Sequence, residues 1–349
     1  MRRRALLAAP ILALPTLAPA QQTAAFRVYS CARDRTGSHH LAEIDWRDGT
    51  LRLIPLPGRG HHVAVSPETP WCAAPARRPG DWLLLWNRRT DHHTLLRPPA
   101  GYFFTGHAVF AENPQFLYCS AQHTNTSRGA VLVVDTFARE PRFSGALDTH
   151  GIGPHAIAFD PRHRHLVVCN GGLQTHPVRR REVTNAAHFA SSLVRLSLTG
   201  ERISQHVAEP GLSLRHLDLD NTGRAVVAAQ VPAGAAAGVD TALVWLENPI
   251  GGPLQAASWQ HGLHHTLQGY LGDVRWQGHG DVIATSAPSA SVLRLGERIA
   301  VNMHTDVSGV AVSPVGTVLS DGLGRLVVHG GRKRRFDLAF DNHLSCLES

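Results

Sequence analysis

Five histidines return at the head of a repeated strand unit, as Gly60-His61, Gly106-His107, Pro154-His155, Arg215-His216 and Asn342-His343. His61 to His107 spans 46 residues and His107 to His155 spans 48, intervals that match the roughly 40–50-residue period of a four-stranded propeller blade. Helical solenoids share the period but not the texture. Behind the histidines come short apolar runs, Val63-Ala64-Val65, Ala108-Val109-Phe110, Ala156-Ile157-Ala158-Phe159 and Leu217-Asp218-Leu219. A turn follows (Ser66-Pro67, Asn113-Pro114, Asp160-Pro161, Asn221-Thr222-Gly223), then a second run such as Leu166-Val167-Val168-Cys169. Short β-branched and aromatic runs separated by turn residues predict strand-turn-strand units. No long stretch with helical periodicity competes with them.

Two further strands open in the same way, Gly272-Asp273-Val274-Arg275-Trp276 and Ser308-Gly309-Val310-Ala311-Val312, which makes six blades. The N-terminal text from Phe26 to Leu56 holds only three strands, and Asn342-His343-Leu344-Ser345-Cys346 reads as the missing fourth. The expected fold is therefore all-β, a seven-bladed β-propeller closed by strands from both termini, because an unjoined ring would leave open edges and a weak seam. The longer intervals, 61 residues from His155 to His216 and 57 from His216 to Asp273, imply insertions at Gly171–Ser191 and around Pro232–Asp240.

Residues 1–20 read as an export signal: Arg2-Arg3-Arg4, an apolar stretch from Ala5 to Leu17, then the small-residue site Ala18-Pro19-Ala20. Arg3-Arg4-Ala5-Leu6-Leu7 also resembles a twin-arginine signal, so both export routes stay open. Residues 21–349 are expected to form one propeller domain in the periplasm, with no transmembrane span after processing. Loss of the three leader arginines lowers the formal charge from +7 to +4, too little for a nucleic-acid footprint. Arg332-Lys333-Arg334-Arg335 is expected as a solvated turn. The five cysteines form no CxxC pair and sit mostly late in apolar strands, where they are expected as buried free thiols.

With this layout, the chain resembles the bacterial family of unknown function numbered 1513, exported seven-bladed propellers. The resembling segments are Gly58-Arg59-Gly60-His61, Ala76-Arg77-Arg78-Pro79-Gly80, Gly106-His107-Ala108-Val109-Phe110, Gly151-Ile152-Gly153-Pro154-His155, Asn170-Gly171-Gly172-Leu173-Gln174-Thr175-His176-Pro177, Arg215-His216-Leu217, Tyr270-Leu271-Gly272 and Asp341-Asn342-His343-Leu344. The resemblance implies companionship with imelysin-type iron-uptake proteins and a role in periplasmic iron handling. The chain departs from the family pattern after Pro177, where Val178-Arg179-Arg180-Arg181-Glu182 replaces a more regular Leu-Asn-rich segment.

The opening strand of a propeller blade is innermost, so its first residues face the central channel. His61, His107, His155, His216 and His343, with Asp273, are the candidate channel site. Neutral imidazole suits Fe, Cu or Zn, whereas Ca²⁺ and Mg²⁺ require oxygen-rich cages. Two readings stay open: ligation of a transition metal, or hydrogen bonds from the histidines to neighbouring blades. The register raises a difficulty. His61 and His155 lie two residues before an inward apolar position and His216 lies one before, and neighbours on a strand face opposite ways. A bulge would reconcile them. Arg78, Arg215 and Arg275 are candidate contacts for an anionic ligand such as a chelated metal. His39-His40, His92-His93, His163, His165 and His264-His265 are expected at the surface. A metal-dependent lactonase or esterase is the alternative. Such propellers resemble one another in presenting Glu, Asn and Asp at the channel, and here Asp273 and Asn342 are the available counterparts.

Overall fold

Turn residues between short apolar strands make each repeat a local antiparallel meander, and the computed structural model, which describes residues 25–179, 182–235, 241–257, 262–278, 280–328 and 331–348, arranges these meanders as seven sheets. The inner strands of blades 2 to 7 are Ala64–Val65, Tyr102–Phe110, Pro154–Phe159, Ser213–Leu219, Asp273–Gln277 and Val307–Ser313. Blade 1 comprises Phe26–Asp34, His39–Asp45 and Leu51–Leu56, completed on its inner edge by two C-terminal strands, Leu338–Phe340 and Ser345–Glu348. Leu338–Phe340 pairs with Ala32–Asp34, and Ser345–Glu348 pairs with Phe26–Tyr29. The inner strands touch one another in cyclic order, blade 1 meeting both blade 7 and blade 2. The seven-bladed propeller closed by both ends of the chain is the observed fold.

The core is distributed between the blades. Tyr29, Leu41 and Ile54 of blade 1 pack on Val63, Trp82, Leu84 and Trp86 in and beside blade 2, while Phe26, Ile44 and Trp46 on the other face pack on Ala311, Val318 and Leu326 of blade 7. The largest apolar cluster joins blades 4, 5 and 6. Each blade therefore buries both faces against neighbours, and its stability depends on the ring being whole.

Both insertions leave the same ends of their blades as the candidate histidines. Pro154, beside His155, pairs with Asn170 immediately before the first insertion, and Ser213, near His216, pairs with Gln230 immediately before the second. The described part of Gly171–Ser191 holds one short 3₁₀ turn at Pro177–Arg179. Arg180, Arg181 and residues 236–240 lie outside the described residues, as does the expected export signal. Two local expectations are corrected. Lys333–Arg335 is the outer strand of blade 7 and not a turn, and the Arg334 guanidinium bonds the Trp46 carbonyl at 2.7 Å and 3.1 Å. His264 is buried, because a single helical turn, Leu263–Thr266, packs Leu263 and Leu267 into the large cluster. Cys31, Cys72, Cys119 and Cys169 are buried free thiols and Cys346 is half-buried. Burial pushes their pKa values up, for Cys346 to about 12, and so suppresses the reactive thiolate. Among the described residues no helix is long and apolar enough to cross a membrane.

Candidate metal centre

Ladder pairing is interrupted where the histidines enter the channel. The pairing skips from Phe104 to Ala108 in blade 3, from Pro154 to Ile157 in blade 4 and from Leu214 to His216 in blade 5. In blade 2 the bridge at Gly60 and the strand at Ala64 leave His61 and His62 between them. In blade 1 the inner edge breaks between Phe340 and Ser345, the stretch that carries Asp341 and His343. An extra residue rotates the side chains that follow it, which removes the register difficulty. Gly106 shows what this requires: its φ is 114°, and a Cβ there would lie 2.6 Å from the His61 ring. Only glycine combines that backbone conformation with such close approach.

All five candidate histidines converge. Ring centroids lie 5.1 Å apart for His61 and His107, 4.6 Å for His107 and His155, 4.8 Å for His155 and His216, 4.7 Å for His216 and His343, and 4.7 Å for His343 and His61. A sixth ring, His62, joins them, its centroid 5.2 Å from that of His107. The sequence pattern did not single out His62; its place beside His61 in a doublet that heads a blade was the available signal. The nitrogens of His61, His107 and His155 fall within 4.8 Å of one another, as do those of His107, His216 and His343. His107 belongs to both triads.

Two carboxylates orient the cluster from behind. Asp341 lies 3.3 Å from His61 Nδ1, and Asp273 lies 3.3 Å from His343 Nδ1. Burial opposes their ionisation, but for Asp341 the His61 contact with Arg77 and Arg59, and for Asp273 Arg275 with His343, outweigh it and hold both pKa values below the usual range. A carboxylate on one ring nitrogen fixes the tautomer that turns the other nitrogen's lone pair outward, the usual support for a metal-bound histidine. Asp273 therefore sits behind the cluster as an orienting group. Asp341, which the sequence reading left unassigned, has the same position.

Burial first, and neighbouring rings and arginines second, push His62, His107, His155 and His216 well below the ordinary histidine pKa and His61 to about 3. The partially shielding Asp341 contact does not reverse this for His61. These five rings are neutral at pH 7. Among the described residues, five buried nitrogens in the cluster have no hydrogen-bond partner: His62 Nδ1, His107 Nε2, His155 Nδ1, His216 Nδ1 and His343 Nε2. An unsatisfied buried polar atom costs about 1–3 kcal/mol. Hydrogen bonding between blades accounts for one nitrogen of His61 and one of His343, which meet Asp341 and Asp273, and not for these five nitrogens. His61 Nε2 and His155 Nε2 lie 3.4 Å apart, close to the roughly 3.3 Å that separates two nitrogens bound at 2.0–2.1 Å to one tetrahedral ion. The all-nitrogen donor set fits zinc, copper or iron.

The predicted anion contacts divide. Arg78 and Arg215, with Arg77, line a cavity of about 70 Å³ that His61, His155, His216, Tyr270 and Asn342 also border. Arg275 occupies another position: it bonds Asp273 at 2.9 Å and the Val274 carbonyl at 2.7 Å, so it supports the carboxylate that orients His343. Asp218 accepts a hydrogen bond from the Trp276 amide at 2.9 Å, and burial pushes its pKa up.

Asp341→Asn keeps the size of the side chain but removes the charge facing His61. If the cluster holds a metal, the variant is expected to bind it about 10–100-fold more weakly than wild type. Competition against a chelator of known affinity checks this, and an unchanged affinity would remove Asp341 from the centre.

Residues 54–347 match the family described as "Protein of unknown function (DUF1513)". The chain belongs to that family. Among curated proteins none matches it. Solved structures similar to this DUF1513 protein include a protein from Lactobacillus plantarum, with 12% identity over 93% of this chain and 100% of the other at a TM-score of 0.58. Virginiamycin B lyase from Staphylococcus aureus has 11% identity over 86% and 93% of the two chains and a TM-score of 0.58. A chain of the mitotic checkpoint complex has 10% identity over 96% and 99%, with a TM-score of 0.57. At such identities the likeness concerns the fold.

Proposed function

We propose that this DUF1513 protein is an exported, periplasmic binding protein for a transition-metal ion, held by the histidine cluster in the propeller channel. The observation that carries this reading is the pair of histidine groups, His61 with His107 and His155, and His107 with His216 and His343, whose ring nitrogens lie within 4.8 Å of one another. An ion would satisfy several of them at once, with His107 common to both possible triads. His61, His107, His155, His216 and His343 would hold it, Asp341 and Asp273 would orient His61 and His343, and the ion would supply a Lewis-acidic centre. A part in iron handling beside imelysin-type proteins belongs to the same proposal and rests on the family resemblance.

Hydrolysis of a lactone or ester is the weaker reading. Three histidines with an open position do suit metal-activated water, but a cavity of about 70 Å³ is far below the roughly 300 Å³ at which ligand pockets begin.

Elemental analysis of untagged protein, loaded with iron, copper or zinc and dialysed, tests the proposal. Wild type is expected to retain metal in stoichiometric amount. A His61→Ala, His107→Ala, His343→Ala variant, shown by circular dichroism to be folded, is expected to retain none. Equal metal content in the two proteins, or none in wild type with any of the three ions, would overturn it.

A further inference from the structure

The two histidine groups that share His107 are not equivalent. His61 and His155 both border the cavity of about 70 Å³, and His155 is half-buried. Of the other group only His216 reaches that cavity. His107 and His343 are not among its lining residues, and the three rings of this group, His107, His216 and His343, are 6%, 2% and 1% exposed. Their hydrogen bonding differs as well. The Asp341 carboxylate faces His61 Nδ1, which therefore carries the proton and leaves Nε2 as an acceptor. The 3.4 Å contact between His61 Nε2 and His155 Nε2 is then a hydrogen bond donated by His155. In the deeper group, among the described residues, His107 Nε2, His216 Nδ1 and His343 Nε2 are all without hydrogen-bond partners, while Asp273 holds the other nitrogen of His343.

From this asymmetry we infer that the cluster holds two ion positions in series, an outer one on His61, His155 and His107 and an inner one on His107, His216 and His343, and that a single ion passes through the first to rest in the second. The inference rests on the metal-binding reading. An ion in the outer position displaces the hydrogen bond between His61 and His155 and shifts the His155 proton from Nε2 to Nδ1, so binding there loses an interaction the metal-free protein already has. An ion in the inner position meets buried nitrogens that have none to lose. The inner position is therefore the tighter. Passage between the two requires no return to solvent, because His107 stays bound while His61 and His155 give way to His343 and His216. Each outer ring has an inner ring beside it: His155 and His216 lie 4.8 Å apart between centroids, and His61 and His343 lie 4.7 Å apart. One ion occupies the pair at a time, since two dications a few ångströms apart in a buried space repel strongly and would compete for the shared ring.

Cobalt(II) serves as the probe, because its visible spectrum reports its ligands. Metal-free wild type, His155→Ala and His343→Ala, each shown by circular dichroism to be folded, are mixed with cobalt(II) in a stopped-flow instrument, and release is then followed after addition of excess chelator. His155→Ala removes the outer position. It is expected to slow loading and release alike, each at least about tenfold, because the ion crosses that position in both directions. His343→Ala removes the inner position and is expected to release the ion at least about tenfold faster than wild type. His155→Leu and His343→Leu keep the bulk of the ring and replace any alanine variant that does not fold. If His155→Ala speeds release as His343→Ala does, both rings serve one position, and the inference falls while the metal reading stands. If His155→Ala loads as fast as wild type, the ion reaches the inner group by another route and the inference falls likewise. If none of cobalt(II), zinc(II) and copper(II) binds to wild type, the metal reading fails and takes the inference with it.

Discussion

A chain ending at Asp337 is expected to lose the cooperative fold of the whole ring, although only the last strand pair is missing. Leu338–Phe340 and Ser345–Glu348 are the only cover on the inner edge of Phe26–Asp34 among the described residues. Their removal exposes those strand groups and takes away the apolar side chains of Leu338, Phe340 and Leu344, which pack between blades 7 and 1. Full burial of one such side chain contributes about 1.5–3 kcal/mol, so the three contribute roughly 5–9 kcal/mol in a protein whose total stability is of order 5–15 kcal/mol. The seam also loses the Ser30 hydroxyl bond to the His343 carbonyl at 2.8 Å and the Ser345 hydroxyl bond to the Val63 carbonyl at 2.6 Å. Aggregation, or a broad non-cooperative thermal transition by circular dichroism, is the expected result. A sharp transition within a few degrees of the full-length protein would show that the terminal strand does not hold the ring. Phe340→Ala is a milder form of the experiment, with an expected cost of about 3–5 kcal/mol.

Acid should unfold the metal-free protein at a pH where most carboxylates are still ionised. His62, His107, His155 and His216 have folded pKa values well below 6.5, and His61 has one of about 3. Above pH 6.5 the rings are neutral in both states and contribute no pH dependence. Below it the unfolded chain binds protons that the folded rings refuse, so stability falls as pH falls, until the folded pKa values are reached. Each ring withdraws up to about 1.4 kcal/mol per pH unit, and five together approach about 7 kcal/mol per unit. The groups facing them, Arg77, Arg78, Arg215 and Arg275, deepen the effect, while Asp341 and Asp273 moderate it for the rings they touch. Those two carboxylates, held low, add their own loss only at more acid pH. In the presence of a chelator, a fall of at least about 10 °C in midpoint is expected between pH 7 and pH 5.5, and a bound ion is expected to reduce it. A midpoint that moves by less than about 3 °C would mean that these rings accept protons without unfolding and are not the dehydrated neutral cluster described above.

The blade count and the identity of each inner strand were legible because both are local properties: a turn residue, an apolar run and a histidine recur within each unit of chain. The N-terminal shortage of one strand, with Asn342-His343-Leu344 as its complement, even disclosed how the ring closes. Five imidazoles could be assigned to one channel from spacing alone, because equivalent positions in a closed ring meet at its axis. The surface expectation failed for His264 because a tertiary cluster, not local polarity, decided its burial.

What the sequence by itself determined was the repeat, and therefore the sectors and the residues that begin them. Only the tertiary structure decided which side chains meet at the centre and how they are held. The pairing interruptions that turn His107, His155 and His216 inward depend on partner strands. The membership of His62, the contact of Asp341 with His61 and the withdrawal of Arg275 to Asp273 join segments far apart along the chain. Strand periodicity arises from neighbours in sequence, whereas distances across the channel are set by closure of the whole ring, to which every blade contributes its own twist and bulge.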